Sequence, residues 1–437
     1  MQVPEAKARL ELPPLHGGVG QAFAPGEGLD LVVADASWTW TERLFSPLAE
    51  LGVRVLLLKA CDWRTAWNQG RPARDWLWPG RRLGPRLWER TLVLPPGWMK
   101  SYPRLGMRPL ARAVRHWRAG LAEEGHAPRP LALAISYPHY LYLRDQLRPD
   151  VLIYYNMDDY GLYWTARREA VRALERRAVR EADLSVCCAR VRADELRAAV
   201  PEAADRVVHL PHGAPAGAIA PRPLHKPAPA PEDIAHLPRP LLGFVGTLED
   251  RLDWPLIEHL ADAFGDGSII LIGREPTPAP RASWYREYRR AVARPNVHRV
   301  GWRPQGEIGR YNAAFDVCLI PYRVDHPFNR ASCPTKVMDY MATSRPVVST
   351  PLPECLLQAD LFAIADGPAA FAAAARRIVA AGSDDGRARS RWDAARAATW
   401  EKVAGRLLGL VSEKTGGTHR RDRGGRGGEE RVLKSQI

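Results

Sequence analysis

Short apolar runs alternate along this chain with segments whose apolar residues recur at helical spacing. From residue 29 the run LDLVVAD is followed by the helical pattern WTWTERLFSPLAELG and then by the run VRVLLLKA. The alternation continues to residue 213 with the runs RPLALAIS, PDVLIYYN, ADLSVCCA and RVVHLPHG. Apolar runs that are bounded by turn residues and separated by helices predict a parallel sheet covered on both faces.

A proline-rich segment at 214–240 interrupts this alternation. Its proline density predicts a linker between domains, without packed elements of its own. Beyond it the runs LLGFVGT, GSIILIG, NVHRVGW, DVCLIPY and PVVST predict a second parallel sheet. We therefore expect an α/β protein with two doubly wound, Rossmann-like domains, 28–213 and 241–388, that face each other across a cleft. Ligands of such sheets bind beyond the carboxyl ends of the strands.

The composition is that of a globular protein, with 46% hydrophobic and 26% charged residues and a net charge of +14. Eight of the 63 basic residues are lysines, and the arginines are spread along an Ala- and Pro-rich chain. Such spreading is typical of compositional bias, so we expect no nucleic-acid partner and favour an anionic membrane surface or a phosphate-bearing substrate. The chain ends, 1–27 and 412–437, are rich in Gly, Pro or charged residues and are predicted to be disordered.

Cysteine usage and the lengths of the apolar runs predict the compartment. The six cysteines form no CxxC pair and no metal-ligand spacing, which is typical of a reducing cytoplasm. No run approaches the ~20 apolar residues that span a bilayer, and the first 30 residues lack the apolar core of a signal peptide. We expect a cytoplasmic protein, either free or held peripherally at the inner face of the membrane.

The segment CPTKVMDYMATSRPVVST carries a lysine where a helix is predicted to begin. Pro334 suits the first helical position and Ser332 the cap, which places Lys336 in the first turn. A cation there has the wrong sign for the helix dipole, unless an anion such as a diphosphate binds beside it. Asp339 lies on the same helix face and is placed to accept hydrogen bonds from ribose hydroxyls. The alternative is an exposed ion pair between these two side chains.

The same segment, preceded by AAFDVCLIPY and NVHRVGW, resembles the donor-site signature of retaining GT-B glycosyltransferases of the family 4, or group 1, type. GFVGTLEDRLD is similar to the glycine loop that opens their second domain, and HLPHGAP to the segment that closes their first. YNMDDY and its surroundings resemble the teichuronic-acid branch of that family. The resemblance covers about residues 29–410, and the donor motif is its most specific part.

The resemblance implies the GT-B fold and transfer of a sugar from a nucleotide diphosphate donor to an acceptor hydroxyl, with retention of configuration and without a metal or cofactor. It implies a role in cell-envelope, exopolysaccharide or glycolipid synthesis, with a carbohydrate or lipid-linked acceptor. It also implies that a terminal helix at 389–411 crosses back to the first domain. Lys336 would bind the diphosphate, Asp339 the ribose, and Arg303 would border the base. The donor-binding residues that it implies are Gly246, Thr247, Arg251, Arg303, Asn329, Ser332, Thr335, Lys336 and Asp339.

Four positions depart from the usual family pattern. Asp339 stands where the family usually has Glu, and Ala331 replaces a second Glu eight residues earlier. Arg251 is the one basic residue after the first glycine loop, where many members carry a pair. Ser344 occupies the turn in which Gly is usual, which raises a question only about the geometry of that turn.

Two carboxylates, Asp158 and Asp159, follow the strand VLIYY at its carboxyl end. Asp158 can hydrogen-bond sugar hydroxyls or act as a base toward the acceptor hydroxyl, and we assign it and Lys336 to catalysis. Asp159 either faces the acceptor or caps the following helix. No further carboxylates converge in the sequence, which disfavours a metal site at this pair.

The acceptor side of the cleft is expected at the other strand ends of the first domain. The segment DASWTWTER places Asp35, Trp38, Trp40 and Glu42 after the first strand, although two Trp at i and i+2 cannot point the same way. His139 follows another strand and either faces the cleft or packs in the core. We assign Trp38, Glu42, His139 and Asp159 to the acceptor side.

A Trp-rich segment at 63–98 is predicted to be an irregular insertion on the same side. It is expected either to form a lid or membrane-facing surface, or to pack against the first sheet.

Two other functions fit the same scaffold. A nucleotide-sugar epimerase would need further acid and base groups in the donor cleft, and the sequence offers no clear set. A binding subunit of low activity would be consistent with the missing carboxylate at Ala331.

Overall fold

The computed structural model describes residues 28–68, 80–98 and 102–416. Two sheets dominated by parallel strands confirm the predicted α/β, doubly wound architecture. The predicted disordered segment 1–27 lies outside the described residues, as does 417–437. The start of the predicted tail at 412 was wrong by five residues, because the last helix continues to Gly416.

The first sheet has eight strands in the order β3-β4-β2-β1-β5-β6-β7-β8. All neighbouring strands are parallel except β3 and β4, which form an antiparallel hairpin. The strands are β1 (Asp30–Ala34), β2 (Arg54–Asp62), β3 (Arg81–Gly84), β4 (Leu87–Leu94), β5 (Leu131–Ile135), β6 (Val151–Asn156), β7 (Leu184–Cys187) and β8 (Val207–His209). The helices of this domain are α1 (Thr39–Phe45), α2 (Trp63–Asn68), α3 (Pro103–Glu123), α4 (Leu141–Leu147), α5 (Arg168–Glu181) and α6 (Arg190–Ala199).

The second sheet has six strands in the order β11-β10-β9-β12-β13-β14. They are β9 (Leu241–Val245), β10 (Ser268–Ile272), β11 (Val297–Gly301), β12 (Val317–Ile320), β13 (Val347–Ser349) and β14 (Ala363–Ile364). The helices from the linker onward are α7 (Glu232–Ala235), α8 (Trp254–Ala263), α9 (Ser283–Ala291), α10 (Gln305–Ala314), α11 (Pro327–Ala331), α12 (Lys336–Ala342), α13 (Pro353–Leu356), α14 (Pro368–Ala380), α15 (Ala388–Ala397) and α16 (Trp400–Gly416).

Alternate residues of the first sheet belong to two separate cores, one on each face. Val32 and Ala34 of β1 pack into the cluster that contains α3, whereas Leu31 and Val33 pack into a second cluster. Successive side chains of a strand point to opposite faces, so a strand covered on both faces must be apolar at every position. This requirement explains the unbroken apolar runs by which the strands were predicted.

The Trp-rich segment 63–98 is more regular than predicted. Residues 81–94 form the β3–β4 hairpin, and β4 extends the first sheet beside β2. Trp88 packs edge-to-face on Trp117 of α3, with ring centroids 5.6 Å apart. Part of this segment therefore packs against the first domain, while residues 69–79 lie outside the described part of the chain.

The proline-rich linker is packed, contrary to the prediction. Ala214 and Ile234 are fully buried in the core of the second domain. The backbone N–H of Ala228 donates to the carbonyl of Ala313 at 2.8 Å. The prolines disfavour regular strands in this segment, but apolar side chains between them are buried against the second domain.

The chain passes between the domains twice, at one place. The N–H of Ala214 donates to the carbonyl of Ala398 at 2.7 Å, and the N–H of Trp400 donates to the carbonyl of Ala214 at 3.2 Å. A Cβ on Gly213 would lie 2.6 Å from the backbone nitrogen of Trp400, so this crossing requires glycine. The terminal helix predicted at 389–411 is therefore two helices: α15 lies on the second domain and α16 on the first.

The donor segment also begins its helix later than predicted. Lys336 is the first helical residue, and Thr335 occupies the cap position with helical backbone angles and no side-chain cap. Ser332 does not cap the helix, because its hydroxyl accepts a hydrogen bond from Arg251.

Ser344 lies in the left-handed backbone region, with φ of 62°. Its side chain is buried, and its hydroxyl has no hydrogen-bond partner among the described residues. A non-glycine residue in this region costs on the order of 1 kcal/mol or more. We predict that Ser344→Gly raises the free energy of unfolding by about 1 kcal/mol, measured by denaturant titration.

Ser383 provides the matched control. Its φ is 61°, but its hydroxyl donates to the Asp316 carboxylate at 2.7 Å. Ser383→Gly loses that hydrogen bond and should gain no stability. No stabilisation in Ser344→Gly would show that backbone strain does not explain the glycine that is usual at this position.

Candidate functional site

The carboxyl ends of the second sheet bring together the residues that the sequence placed at the donor. Gly246 follows β9, Gly273 follows β10 and Tyr322 follows β12. α12 starts with Lys336, whose ammonium nitrogen would lie 3.4 Å from a Cβ on Gly246. The predicted glycine loop and the predicted lysine therefore meet, although 90 residues separate them in sequence.

Lys336 is buried, with 7% of its surface exposed. Its ammonium donates a hydrogen bond to the Tyr322 hydroxyl and lies 4.4 Å from the centroid of the Tyr322 ring and 5.2 Å from that of Phe244. No carboxylate of the described residues lies within the 4.0 Å of an ion pair. The alternative of an exposed ion pair with Asp339 is thereby excluded. Ring faces and a hydroxyl stabilise this cation only in part, which leaves it available to an anion.

Arg251 also lies near the Tyr322 ring. Its guanidinium is 5.4 Å from that ring centroid and donates to the Asn329 side chain at 2.9 Å and to the Ser332 hydroxyl at 3.2 Å. It lies 3.8 Å from the Glu249 carboxylate. Three predicted donor residues thus form one hydrogen-bonded group, and two cations, Arg251 and Lys336, lie near one aromatic ring.

The glycine loop is shaped by a close backbone approach. Gly246 has φ of 153°, and a Cβ there would lie 2.9 Å from the Phe244 ring. A Cβ on Gly273 would lie 1.8 Å from the carbonyl oxygen of Gly246. Both glycines are therefore required for two loops to pack at the strand ends, and Thr247 is left exposed beyond them.

Asp339 lies at the cleft on the same helix as Lys336. Burial raises the pKa of its carboxyl to about 6, while Arg43 and Lys336 nearby and a hydrogen bond with Gln305 act in the opposite direction. Arg43 belongs to the first domain, so both domains contribute to the electrostatics of this carboxyl. A carboxyl with this pKa is mostly ionised at neutral pH and accepts hydrogen bonds from hydroxyl groups.

The side chain of Arg303 is held by contacts within its own domain, and its place beside the base stays a prediction. Its guanidinium pairs with Asp233 at 2.8 Å and donates to the Tyr311 hydroxyl at 3.0 Å. These contacts turn it toward α7. Its neighbour Trp302, in the loop that follows β11, has a side chain that is 58% exposed.

Asp158 lies at the carboxyl end of β6, on the first-domain side of the cleft. It accepts a hydrogen bond from the Tyr163 hydroxyl at 2.8 Å, and the Tyr163 ring packs edge-to-face on Phe328 of the second domain at 4.8 Å. Burial raises the pKa of the Asp158 carboxyl, and the Tyr163 hydroxyl and the charge of Arg251 oppose this shift. Tyr163 therefore links Asp158 to the second domain, which carries the donor-binding residues Arg251, Asn329 and Ser332.

Asp159 has a structural role, which corrects its assignment to the acceptor side. One carboxylate oxygen accepts from the N–H of Gly161 at 2.9 Å and so caps the short helix Tyr160–Leu162. The other oxygen pairs with Arg172 at 2.9 Å. The capping alternative is therefore the one that the structure supports.

The other predicted acceptor residues follow neighbouring strand ends. Trp38 is 54% exposed after β1, and His139 stacks on Tyr137 after β5 with centroids 5.0 Å apart. Glu42 is held by Lys59 at 3.1 Å. Because β1 and β5 are parallel neighbours, these side chains share one edge of the sheet.

Asp35, which the sequence also places near the acceptor side, lies at the same edge. It has φ of 64°, and burial raises the pKa of its carboxyl to about 7, against hydrogen bonds from Ser37, Trp38 and Tyr140. A carboxyl that is half protonated near neutral pH can donate or accept a hydrogen bond at an acceptor hydroxyl.

The two domains touch around His212 of the HLPHGAP segment. Its ring lies between Trp40, at 6.0 Å, and Trp400, at 5.5 Å. Cys333, which follows Ser332 in the donor segment, packs against the first-domain core and hydrogen-bonds Cys188. Of the predicted pair Trp38 and Trp40, Trp40 is therefore the one that packs.

Several site residues were missed from sequence. Tyr322 and Phe244 hold the lysine, and Tyr163 holds Asp158. Tyr322 could have been predicted from its position, because it directly follows the strand run DVCLIP. Across residues 28–68, 80–98 and 102–416, no three His, Cys, Asp or Glu side chains converge as a metal site would require. No described helix has the length and apolar character needed to cross a membrane.

Comparison with known proteins connects these features to a family. Residues 239–381 match the family model described as "Glycosyl transferases group 1". TuaH of Bacillus subtilis strain 168, named as a teichuronic acid biosynthesis glycosyltransferase, is 23% identical over 238 residues, which are 54% of this chain and 58% of TuaH. The chain thus matches little more than half the length of that relative.

Solved structures match over nearly the whole chain. Sucrose-phosphate synthase from Thermosynechococcus elongatus is 18% identical, with a TM-score of 0.64 over 90% of this chain and 100% of that chain. HepE from Anabaena, in complex with UDP and glucose, is 13% identical, with a TM-score of 0.59 over 88% of this chain and 99% of that chain. Together these matches confirm the predicted fold and the predicted resemblance. The chain has the GT-B fold, and its residues 239–381 match the group 1 glycosyltransferases.

Proposed function

We propose that this protein transfers a sugar from a nucleotide diphosphate donor to an acceptor hydroxyl, with retention of the anomeric configuration. The acceptor is a carbohydrate or a lipid-linked carbohydrate of the cell envelope or of an extracellular polysaccharide. The name of TuaH supports the envelope assignment. HepE has been solved with UDP and with UDP-glucose, which supports a uridine diphosphate sugar as the first donor to test.

The observation that carries this proposal is the environment of Lys336. A buried ammonium next to a glycine loop, with Arg251 near the same aromatic ring, offers two positive charges to a single ligand. A diphosphate carries two negative charges. We assign Lys336 to one phosphate and the charge of Arg251, whose guanidinium is oriented by Asn329, Ser332 and Glu249, to the other.

Transfer breaks the bond between the anomeric carbon and the diphosphate oxygen and forms a bond to the acceptor oxygen. Negative charge grows on the leaving diphosphate as the bond breaks. Lys336 and Arg251 are already in place where this charge develops, so they stabilise the transition state more than the bound donor. Because two protein cations neutralise the leaving group, we propose that the reaction needs neither a metal ion nor a cofactor.

We assign Asp158 to the reacting end of the donor. Its carboxylate either accepts hydrogen bonds from the sugar hydroxyls or takes the proton of the acceptor hydroxyl. The raised pKa of Asp158 favours the second role, because a base is most effective when its pKa approaches the working pH. Tyr163 connects this carboxylate to Phe328 of the second domain, so closure of the cleft sets its position.

A panel of UDP-, GDP- and TDP-sugars tests the proposed activity. Transfer to an acceptor, or slow hydrolysis of the donor, is expected with at least one donor and should persist in the presence of EDTA. Isomerised donor as the sole product would instead identify an epimerase. Donor binding without any turnover would identify a binding subunit.

Replacing Lys336 by methionine removes the charge and keeps most of the volume. We predict that Lys336→Met weakens binding of a nucleotide diphosphate sugar and lowers turnover by more than it lowers affinity, on the order of 10²-fold. The free energy of unfolding without ligand should stay equal or rise, because a buried cation lacking a carboxylate partner costs free energy. Calorimetry with UDP-glucose and denaturant titration measure the two effects.

Lys402→Met is the matched control, because Lys402 lies on α16 and its ammonium donates only to the carbonyl of Arg396. That variant should bind the donor as the wild type does. Equal donor affinity in Lys336→Met and wild type would remove the lysine from the site.

The pKa of Asp339 makes donor affinity depend on pH. Because burial raises that pKa to about 6, we predict full affinity for UDP-glucose above this pH and a decrease as the pH falls through about 6. The diphosphate of a nucleotide sugar is a diester and does not titrate in this range, so the protein is the source of the change. Asp339→Asn should bind more weakly and show a flatter profile.

The same carboxyl affects the stability of the free protein with the opposite sign. Its folded-state pKa is raised from 3.8 to about 6, so its contribution to the free energy of unfolding is largest at low pH. That contribution is lost as the pH rises from about 4 to about 6.

The variant Asp339→Asn tests the source of the pH dependence. An unchanged pH profile of donor affinity in this variant would rule out the Asp339 carboxyl as the titrating group.

A further inference from the structure

The outer face of α3 carries a row of exposed arginines. Arg104, Arg108, Arg112 and Arg115 follow one another at spacings of four, four and three residues, which places them on one side of the helix. The opposite side, with Met107, Leu110, Val114 and Trp117 among its residues, is buried in the first domain. The helix is therefore fixed by its apolar face, and its basic face is directed outward.

Within the described part of the chain, three of these arginines have no acidic partner. No carboxylate of the described residues lies within 4.0 Å of Arg104, Arg108 or Arg112. Arg115 makes one long hydrogen bond, to the carbonyl of Gln146 at 3.4 Å. Elsewhere the surface arginines are often paired, as Arg290 and Arg294 are with Glu258. A row of unpaired cations produces a local positive potential beyond that of the net charge.

Exposed aromatic side chains lie at the start of the same helix. Tyr102 precedes α3 and is 63% exposed, and Leu105 in its first turn is 40% exposed. Trp63 and Trp67 of α2 are 44% and 72% exposed. β2 and β4 are parallel neighbours that end side by side at Asp62 and Leu94, so the segments that follow them emerge from one edge of the sheet.

We propose that these eight residues, hereafter the Arg–aromatic surface, bind the headgroup region of an anionic lipid bilayer. Arginine attracts anionic headgroups, and Trp and Tyr are the side chains that prefer the membrane interface. A nucleic acid would also attract the arginines, but the exposed tryptophans of α2 fit a bilayer interface better than a phosphate backbone.

The position of this surface links it to the proposed function, on which this part of the inference rests. Trp38, on the acceptor side, follows β1, and β1 is the neighbour of β2 in the sheet. The tryptophans of the Arg–aromatic surface therefore emerge from the same edge as the acceptor residues. Binding through this surface turns the acceptor side of the cleft toward the bilayer, where a lipid-linked acceptor resides.

The test is sedimentation of the full chain with phosphatidylcholine vesicles that contain or lack phosphatidylglycerol. We expect binding only to the anionic vesicles, weakening as salt is raised. The variant Arg104→Gln/Arg108→Gln/Arg112→Gln should bind about 10²-fold more weakly, because each arginine near an anionic surface contributes about fivefold. Trp67→Ala should also weaken binding, whereas Trp302→Ala, which removes an exposed tryptophan from the other domain, should not.

A triple variant on the second domain is the matched control. Arg281→Gln/Arg286→Gln/Arg289→Gln removes three exposed arginines at and near α9 and changes the net charge by the same amount. Equal losses in the two triple variants would show that net charge, not this surface, controls binding, and would overturn the proposal. Equal binding to neutral vesicles would overturn it as well. Binding to duplex DNA, lost in the α3 triple variant and accompanied by no vesicle binding, would identify a nucleic-acid surface instead.

The outcome for the proposed function is measured separately. Donor affinity of the α3 triple variant, measured by calorimetry without vesicles, should equal that of the wild type because none of its substitutions lies at the donor site. If the α3 triple variant loses vesicle binding but keeps its donor affinity, the loss is due to the Arg–aromatic surface. If the wild-type protein binds vesicles but no nucleotide sugar, only the proposed function is contradicted.

Discussion

A buried ammonium without a carboxylate partner is the constraint around which the second domain's site is arranged. Removing a charge from water costs free energy that the hydroxyl and ring of Tyr322 and the ring of Phe244 recover only in part. Glycine at 246 lets the backbone lie close to this ammonium, because a Cβ there would begin 3.4 Å from it and 2.9 Å from the Phe244 ring. A buried cation at the strand ends of a doubly wound sheet, where ligands of such sheets bind, is the feature from which we propose an anion site.

Arg251, the one basic residue after the glycine loop, is fixed in position by its neighbours. It lies near the Tyr322 ring, as Lys336 does. Its guanidinium donates to Asn329 and Ser332 and lies 3.8 Å from the Glu249 carboxylate. The residues around Ala331 are therefore held by Arg251, although Ala331 itself offers no carboxylate.

The strands were predictable because burial on both faces leaves no polar position, and every predicted run became a strand. Lys336, Gly246 and Asp339 were predictable because charge and backbone requirements act locally. The contacts of Arg303 and Asp159 were not predictable from the sequence. Arg303 pairs with Asp233, which is distant in the sequence, and Asp159 pairs with Arg172 of the helix that follows it. α3, which follows the Trp-rich segment, was not predicted. The packing of the linker was missed because a high proline content predicts a loss of backbone hydrogen bonds but says nothing about the burial of the apolar side chains between the prolines.

The double crossing at Ala214 has a consequence for how the protein is made. α16 places Trp400, Val403, Leu407 and Val411 in a core whose other members come mostly from the first domain. Synthesis proceeds from the N-terminus, and domains generally begin to fold as they emerge from the ribosome. The first domain, although translated first, waits for α16 before one face of its sheet is fully covered. During that interval the nascent protein exposes an apolar surface that a chaperone can recognise.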